Sequence, residues 1–263
     1  MHLDSLGQMK SPIKDKAREF RCLGALKKKI PPGTVVHSFL LYGGSLEFNL
    51  AEDRRFVCAH ANRQTVYDFW ECMLQDPQRI YEIVTGGALQ MGGDDMFHLL
   101  QESWSTYADP YLRSSLFFVL NRCSPEGTIS AGKLDTKNFH PIALSYLQNF
   151  KVPNFHLRLH EDNDTFERLP RSTGADYLLF PVGNFTFNLF DTGKSRGQET
   201  TLVHHRKLAK QLREIKEQKW VVIYKTHPEL FKLYQGSNIT MLNEYGRPTT
   251  NNNQCAEMLI ANF

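Results

Sequence analysis

A glycine turn is the first feature of the sequence that could serve a ligand. Tyr42, Gly43, Gly44 and Ser45 end and follow the apolar run of residues 35–42. Glycine lets a ligand approach the backbone closely, and a glycine-rich turn after a strand is a common place for one to bind. The same residues also make an ordinary turn, because glycine and serine are favoured wherever the chain reverses. The sequence leaves both interpretations open.

A second candidate lies in the apolar run that begins at residue 56. Cys58 and His60 are two residues apart, so on a strand their side chains face the same way, and Asn62 follows. A neutral His60 could hydrogen-bond a hydroxyl group, although it lacks the two acceptor oxygens of a carboxylate. A metal site needs a third or fourth ligand, and none is evident nearby in the sequence. We therefore predict no metal site.

The elements that would position these residues alternate between two patterns. Apolar runs predict strands, and helical periodicity predicts helices between them, which indicates a mostly parallel sheet wrapped by helices. The helix of residues 63–75 should bury one face, formed by Val66, Phe69, Trp70, Met73 and Leu74. The helix of residues 202–218 should turn its basic residues outward and Leu202, Leu208, Ala209, Leu212 and Ile215 inward. The predicted strands are residues 35–42, 56–59, 155–159, 176–180 and 220–224, with an antiparallel pair at 239–242 and 257–261.

The strand pattern stops in the middle of the chain. Residues 85–150 contain a glycine-marked loop and then helical stretches around residues 96–104, 110–122 and 138–150. We interpret this part as a helical insertion within a single α/β domain of residues 1–263.

Composition limits the class of protein. The chain has 263 residues, of which 41% are hydrophobic and 12% aromatic, so it can bury one substantial core. No apolar run approaches the roughly 20 residues that span a membrane. The five cysteines are scattered and odd in number, which favours a reducing compartment over a disulfide framework. We expect a soluble protein of the cytoplasm, or of the host cytoplasm or virion if the gene is viral.

The net charge of +3 is unevenly distributed. Residues 10–29 contain eight basic and two acidic side chains, and residues 194–219 contain eight basic and three acidic ones. Two basic segments on an otherwise acidic chain could form a phosphate-binding surface. Two solvated helix faces would give the same pattern, and the sequence does not decide between them.

Segments along most of the chain resemble one known family. Their order and spacing, more than any single motif, resemble the adenine-specific DNA methyltransferases of the Dam type. The resemblance implies an α/β fold with a Rossmann-like S-adenosylmethionine-dependent methyltransferase sheet wrapped by helices, and a helical insertion that recognises the target sequence. The segments are SPIKDK (11–16), VVHSFLLYGGSLEFNL (35–50), FVCAHANRQTVYDFW (56–70), LFFVLNRCSPEG (116–127), ADYLLFPVGNF (175–185), WVVIYKTHPELFKLYQGSNI (220–239) and AEMLIANF (256–263).

The positions that carry catalysis in that family are degenerate here. The family strand runs into an acid or amide, two prolines and an aromatic ring, which bind and stack an adenine pulled from the duplex. Asn184 stands directly before Phe185, so the amide cannot take the usual place without a shifted turn. We therefore assign no catalytic residue; the degenerate positions are Pro181, Val182, Gly183, Asn184 and Phe185.

The resemblance also implies cofactor and DNA contacts. His60 replaces the acid that would hold the cofactor ribose, so the cofactor-binding set of Tyr42, Gly43, Gly44, Ser45, His60 and Asn62 is interpreted as vestigial. Asn121 and Arg122 stand where the family presents polar contacts to DNA, and Lys133 extends that basic edge. A helix C-terminus whose arginine opposes the helix dipole is the alternative for Arg122.

Three functions are compatible with these departures from the family's catalytic and cofactor motifs. The first is a catalytically inactive relative, retained for binding double-stranded DNA or as a component of a protein assembly, with no cofactor; phages and other mobile elements commonly encode this family. The second is a divergent, active adenine DNA methyltransferase that uses S-adenosylmethionine and has recruited Asn184 and Phe185. The third is a structural subunit that binds neither cofactor nor DNA. Loss of several charged hydrogen bonds, each contributing roughly 1.5 to 3 kcal/mol, favours the first.

Overall fold

The computed structural model describes residues 8–86, 93–125, 127, 129, 133–160, 174–186 and 203–263. Within these ranges the chain forms two compact units. The sheet unit contains residues 17–62, 153–186 and 203–263, and the helical unit contains residues 8–16 and 63–152. None of the helices in the described ranges has the length and apolar character that a membrane crossing requires.

The sheet unit is built on seven strands in the order β3-β2-β1-β4-β5-β7-β6. The first five strands in this order pair in parallel, and β7 runs antiparallel to both β5 and β6. The predicted mostly parallel sheet with a final antiparallel pair is confirmed. The strands are β1 Val35–Ser38, β2 Phe56–Ala61, β3 Phe155–Leu159, β4 Tyr177–Gly183, β5 Lys219–Lys225, β6 Asn238–Leu242 and β7 Glu257–Ala261.

Burial explains the sequence of each strand. All seven residues of β4 are buried, as are the middle five of β5, so both strands read as continuous apolar runs. The edge strand β3 instead alternates between half-buried and exposed residues. This is the pattern of a strand with one face toward the core.

The strand order reverses between β1 and β4. The chain proceeds outward from β1 to β2 and β3, and then returns to place β4 on the other side of β1. Ligands of open α/β sheets bind at the carboxyl ends of the strands that flank such a reversal. We call the space at the carboxyl ends of β1 and β4 the switch-point crevice.

Four α-helices lie in the described part of the sheet unit. In α8 the buried residues Leu208, Ala209 and Leu212 face inward, while Arg206 and Lys210 are exposed, as predicted for this helix. Residue 202, also predicted to face inward, lies outside the described residues. The helices are α1 Leu23–Lys29, α2 Ser45–Glu52, α8 His205–Glu214 and α9 Glu229–Leu233.

The helical unit surrounds one central helix. Asp109 caps α6 by accepting a hydrogen bond from the Leu112 N–H, with proline at the first position, and the helix is buried from Ser114 to Asn121. Phe117 of α6 packs against Phe69 and Trp104. The helices are α3 Gln64–Gln75, α4 Pro77–Thr85, α5 Asp94–Ser103, α6 Pro110–Arg122 and α7 Pro141–Gln148.

Two details differ from the sequence expectations. β1 ends at Ser38 rather than continuing to residue 42, because Leu40 adopts a left-handed conformation with φ of +66° that ends the strand. Leu74 of α3, predicted to be buried, is 37% exposed. The longer segment of the helical unit begins at Arg63 and so includes α3; the insertion of residues 85–150 stays a prediction, and residues 87–92 near its start lie outside the described residues.

Candidate switch-point site

The loop after β1 forms one wall of the switch-point crevice. The Asn62 side-chain oxygen accepts a hydrogen bond of 3.2 Å from the N–H of Leu40, and the N–H of Leu41 donates to the carbonyl of His60 at 3.0 Å. The loop is therefore tied to the end of β2. The Asn62 amide nitrogen is buried and has no hydrogen-bond partner within the described part of the chain. This nitrogen is a donor that a ligand oxygen could satisfy.

The glycine turn is filled by the protein itself. Gly44 has φ of +70° and precedes α2 as its N-cap. A side-chain carbon built on Gly44 would lie 2.3 Å from the ring of Phe48, so that ring occupies the space beside the glycine. Phe48 also packs against Phe155, with ring centroids 5.2 Å apart. The packing of Phe48 therefore explains why residue 44 is glycine, and no ligand is needed to explain it.

A row of stacked rings crosses the ends of three strands. Phe39 lies between His60 and Phe180, with ring centroids 4.6 Å and 5.0 Å away and interplanar angles of 17° and 12°. Burial is the main cause that lowers the pKa of His60 to about 3, and positive charge on His37, His160 or Arg158 acts in the same direction. His60 is therefore neutral at physiological pH. A neutral ring stacked on Phe39 cannot replace the carboxylate that would accept from ribose hydroxyls.

Arg18 occupies the switch-point crevice. Its side chain is 8% exposed, and Nη1 donates a 2.9 Å hydrogen bond to the carbonyl oxygen of Leu40. The guanidinium carbon lies 5.3 Å from the centroid of the Tyr42 ring, a cation–π contact. On the other side, a side-chain carbon built on Gly183 would lie 2.6 Å from the Ala17 carbonyl oxygen and 2.8 Å from Arg18 Cγ. The chain thus fills the space between the ends of β1 and β4.

Arg18 belongs to a segment that crosses the carboxyl edge of the sheet. We call residues 17–22 the strap. The Arg21 N–H lies 2.9 Å from both carboxylate oxygens of Glu257, and Lys225 Nζ pairs with Glu257 at 2.7 Å and donates to the Glu19 carbonyl at 2.8 Å. Glu257 is only 1% exposed. These buried, charge-assisted contacts hold the strap against β5 and β7.

The end of β4 carries the residues that the sequence analysis interpreted as a degenerate catalytic motif. Pro181, Val182 and Gly183 are buried within the strand, whereas Asn184 is exposed beyond it. Phe185 lies between two imidazole rings: its centroid is 4.4 Å from that of His205 and 4.5 Å from that of His227. Both faces of the ring are covered, so in this conformation it cannot stack on a base.

His205 is locked into this arrangement by both ring nitrogens. Nε2 donates to the Thr186 carbonyl at 2.7 Å, which leaves Nδ1 to accept from the Tyr224 hydroxyl at 2.9 Å. Burial is the main cause that lowers the pKa of His205. The neutral tautomer therefore fixes the Phe185 ring between β4 and β5.

The residues predicted to contact DNA lie in the helical unit, where two have internal partners. Asn121 is fully buried in α6; its side chain accepts from the Lys14 N–H at 2.6 Å and donates to the carbonyls of Lys14 and Gly127 at 2.9 Å. Arg122 is half-buried and donates to the Pro12 and Ser11 carbonyls. Lys133 is exposed. Asn121 is thus held by internal hydrogen bonds, and the DNA contacts of Asn121, Arg122 and Lys133 stay predictions.

Sequence reasoning missed two residues of the sheet unit. Arg18 is part of a basic segment, but nothing in its local sequence indicates that it turns inward. His37 lies on β1 opposite Cys58 of β2, and its Nδ1 is 3.1 Å from His60 Nε2. The strand pairing of residues 35–42 with 56–59 is the signal that could have found His37.

The chain has the predicted α/β fold: a Rossmann-like sheet with flanking helices and the order β3-β2-β1-β4-β5-β7-β6, in which β7 runs antiparallel to its neighbours. No protein-family model matches the chain, and no curated protein does. Among solved structures it is similar to a TehB-like S-adenosylmethionine-dependent methyltransferase from Corynebacterium glutamicum. That likeness has 8% identity and a TM-score of 0.39, and it covers 92% of this chain and 86% of the other.

The residues present do not fit S-adenosylmethionine. The unpartnered Asn62 nitrogen is one donor that such a ligand could use. Against it stand Arg18 inside the crevice, Phe48 against Gly44, and His60, whose neutral ring offers no carboxylate to ribose hydroxyls. A sulfonium cofactor would also meet the positive charge of Arg18 in a space closed to water, where like charges repel strongly.

Proposed function

We propose that this chain is a catalytically inactive relative of the adenine-specific DNA methyltransferases that retains the fold for binding double-stranded DNA. The observation that carries the loss of catalysis is the position of Arg18 between the ends of β1 and β4, bonded to Leu40 and packed on Gly183. An enzyme of this fold needs that space for its methyl donor.

The end of β4 supports the same proposal. Both faces of Phe185 are covered by His205 and His227, and no carboxylate or amide precedes the ring inside the strand. Opening the stack would break the two hydrogen bonds of His205, each contributing about 1 kcal/mol. The exposed Asn184 and the unpartnered Asn62 nitrogen favour the alternative, an active enzyme with a rearranged loop.

A basic helix face supports retained DNA binding. Arg206, Lys207, Lys210 and Arg213 are exposed on α8, and no acidic residue precedes Glu214 in this helix. Four cationic side chains on about two helical turns match the close spacing of DNA phosphates. Contacts of this kind hold the duplex without reading its sequence.

Calorimetric titration with S-adenosylmethionine tests the loss of cofactor binding. We expect no saturable heat, since Arg18 holds the space. Saturable binding at one site per chain would overturn this part of the proposal. A parallel assay with labelled methyl donor and DNA tests the alternative directly: methyl transfer to adenine that Asn184→Ala abolishes would establish an active enzyme.

Mobility-shift titration with duplex DNA tests the retained function. We expect binding that weakens steeply with salt, and a double reversal, Arg206→Glu with Lys210→Glu, that weakens it at least tenfold. Lys151→Glu with Lys232→Glu is the control matched in charge, because both lysines are exposed and lie outside α8. Absence of any shift at low salt would favour the third function, a purely structural subunit.

A further inference from the structure

Three buried metal-ligating side chains meet on one face of the sheet. His37 of β1 lies opposite Cys58 of β2, and His60 follows two residues later on the same strand. Alternate residues and register partners of parallel strands project to the same face. The three side chains are 5%, 7% and 6% exposed, and their ligand atoms all lie within 4.8 Å of one another.

The distances match those between ligands of one metal ion. His60 Nε2 is 3.1 Å from His37 Nδ1 and 3.7 Å from Cys58 Sγ. Tetrahedral zinc, with bonds of about 2.0–2.1 Å to nitrogen and about 2.3 Å to sulfur, separates two nitrogens by about 3.3 Å and a nitrogen from sulfur by about 3.6 Å. Both separations therefore fit without movement of the backbone.

We propose that His37, Cys58 and His60 bind one thiophilic metal ion, Zn²⁺ or Cu⁺, through two imidazole nitrogens and a thiolate. The set of one sulfur and two nitrogens selects these ions over Mg²⁺ or Ca²⁺, which prefer oxygen. Binding displaces the thiol proton of Cys58 to solvent and replaces the hydrogen bond between the two histidines. The inference does not depend on DNA binding or on the loss of catalysis.

The surroundings favour a site of low charge. Arg158 of β3 is the register partner of His60, and its positive charge opposes a second cation nearby. One thiolate neutralises Cu⁺ fully and Zn²⁺ by half. Zn²⁺ would therefore take an anion or hydroxide in the fourth position that three protein ligands leave.

Competition with chromophoric chelators tests the site in the full chain. The metal-free protein is titrated separately with Zn²⁺ and, under anaerobic reducing conditions, with Cu⁺. We expect one ion per chain for at least one metal, and a loss of about a hundredfold or more in affinity in Cys58→Ser and in His60→Gln. Cys255→Ser is the matched control, because Cys255 is equally buried in the same unit and lies outside the cluster.

A second measurement needs no variant and so avoids any folding defect. The wild-type chain is alkylated with and without metal, and the modified cysteines are mapped by mass spectrometry. We expect the metal to slow alkylation of Cys58 and leave that of Cys255 unchanged. Failure of both ions to bind, equal protection of both cysteines, or uptake that persists in Cys58→Ser in a folded chain would each overturn the proposal.

Discussion

The guanidinium of Arg18 donates through Nη1 to the carbonyl oxygen of Leu40, 2.9 Å away, at the point where the sheet reverses its strand order. Leu40 presents that carbonyl because its backbone is left-handed, with φ of +66°. The strained loop and the inserted arginine thus stabilise each other, in the place where a protein of this fold would bind its ligand.

The first prediction concerns this bond. Arg18→Ala should lower the free energy of unfolding by about 2 to 3 kcal/mol, because a buried carbonyl loses a charged donor and the Tyr42 ring loses its cation. Urea denaturation measures the change. Lys28→Ala, an exposed lysine of α1, is the control and should stay within about 0.5 kcal/mol of wild type. Equal effects in the two variants would contradict the assigned role of Arg18.

Alanine substitution at two glycines distinguishes the cost of backbone strain from the cost of a steric clash with the strap. Gly183 and Gly236 have φ of +82° and +90°. A side-chain carbon built on Gly183 would lie 2.6 Å from the Ala17 carbonyl oxygen, whereas one built on Gly236 would have no atom within 4 Å. Gly236→Ala should cost about 1 to 2 kcal/mol for its conformation alone. Gly183→Ala should cost about 1 to 3 kcal/mol more. Similar melting temperatures for both variants would mean that the strap does not pack against β4.

Acid should weaken the stack around Phe185. Since burial lowers the pKa of His205 in the folded state, the unfolded chain binds its proton first as the pH falls below about 6.5. The contribution of neutral His205 to the free energy of unfolding is complete above that pH. It is lost as the pH falls, by at most about 1.4 kcal/mol per pH unit. Unfolding of His205→Gln at pH 7 and pH 5 should show a smaller difference than wild type. His204→Gln, the neighbouring position, should keep the wild-type difference.

Asn121 offers a test of structural against DNA-binding roles. Asn121→Ala should lower the free energy of unfolding by about 2 to 4 kcal/mol, because three hydrogen bonds to Lys14 and Gly127 are lost in a buried place. Asn138→Ala, which loses one 3.4 Å bond, is the milder control. In the folded variant we expect the affinity for duplex DNA at fixed salt to be unchanged. A loss of affinity at unchanged stability would instead assign Asn121 to the DNA contact.

The elements follow closely from local sequence. The apolar runs at residues 155–159 and 257–261 are β3 and β7, and residues 110–122 are α6, because strand and helix periodicity, proline and the capping Asp109 act over short distances. The ends are harder to predict. β1 stops at Ser38 since the left-handed Leu40 depends on Arg18 and Asn62, which are distant in sequence.

The site was only partly accessible from sequence. The sequence marked Asn184 and Phe185 as departures from the motif of the family that the chain resembles. The histidine rings that cover Phe185 come from α8 and from the residues after β5. No local pattern predicts which side chains will pack on a given ring. The same holds for His37, which joins Cys58 and His60 only through the register of β1 with β2.

The sequence by itself determined the strands, the helices and the order in which they occur, since all of these are written in short-range patterns of apolar, glycine and polar residues. Only the tertiary structure decided what fills the crevice. Arg18 and Leu40 are far apart along the chain, and pairing between distant residues depends on strand register and on the folded path of the strap.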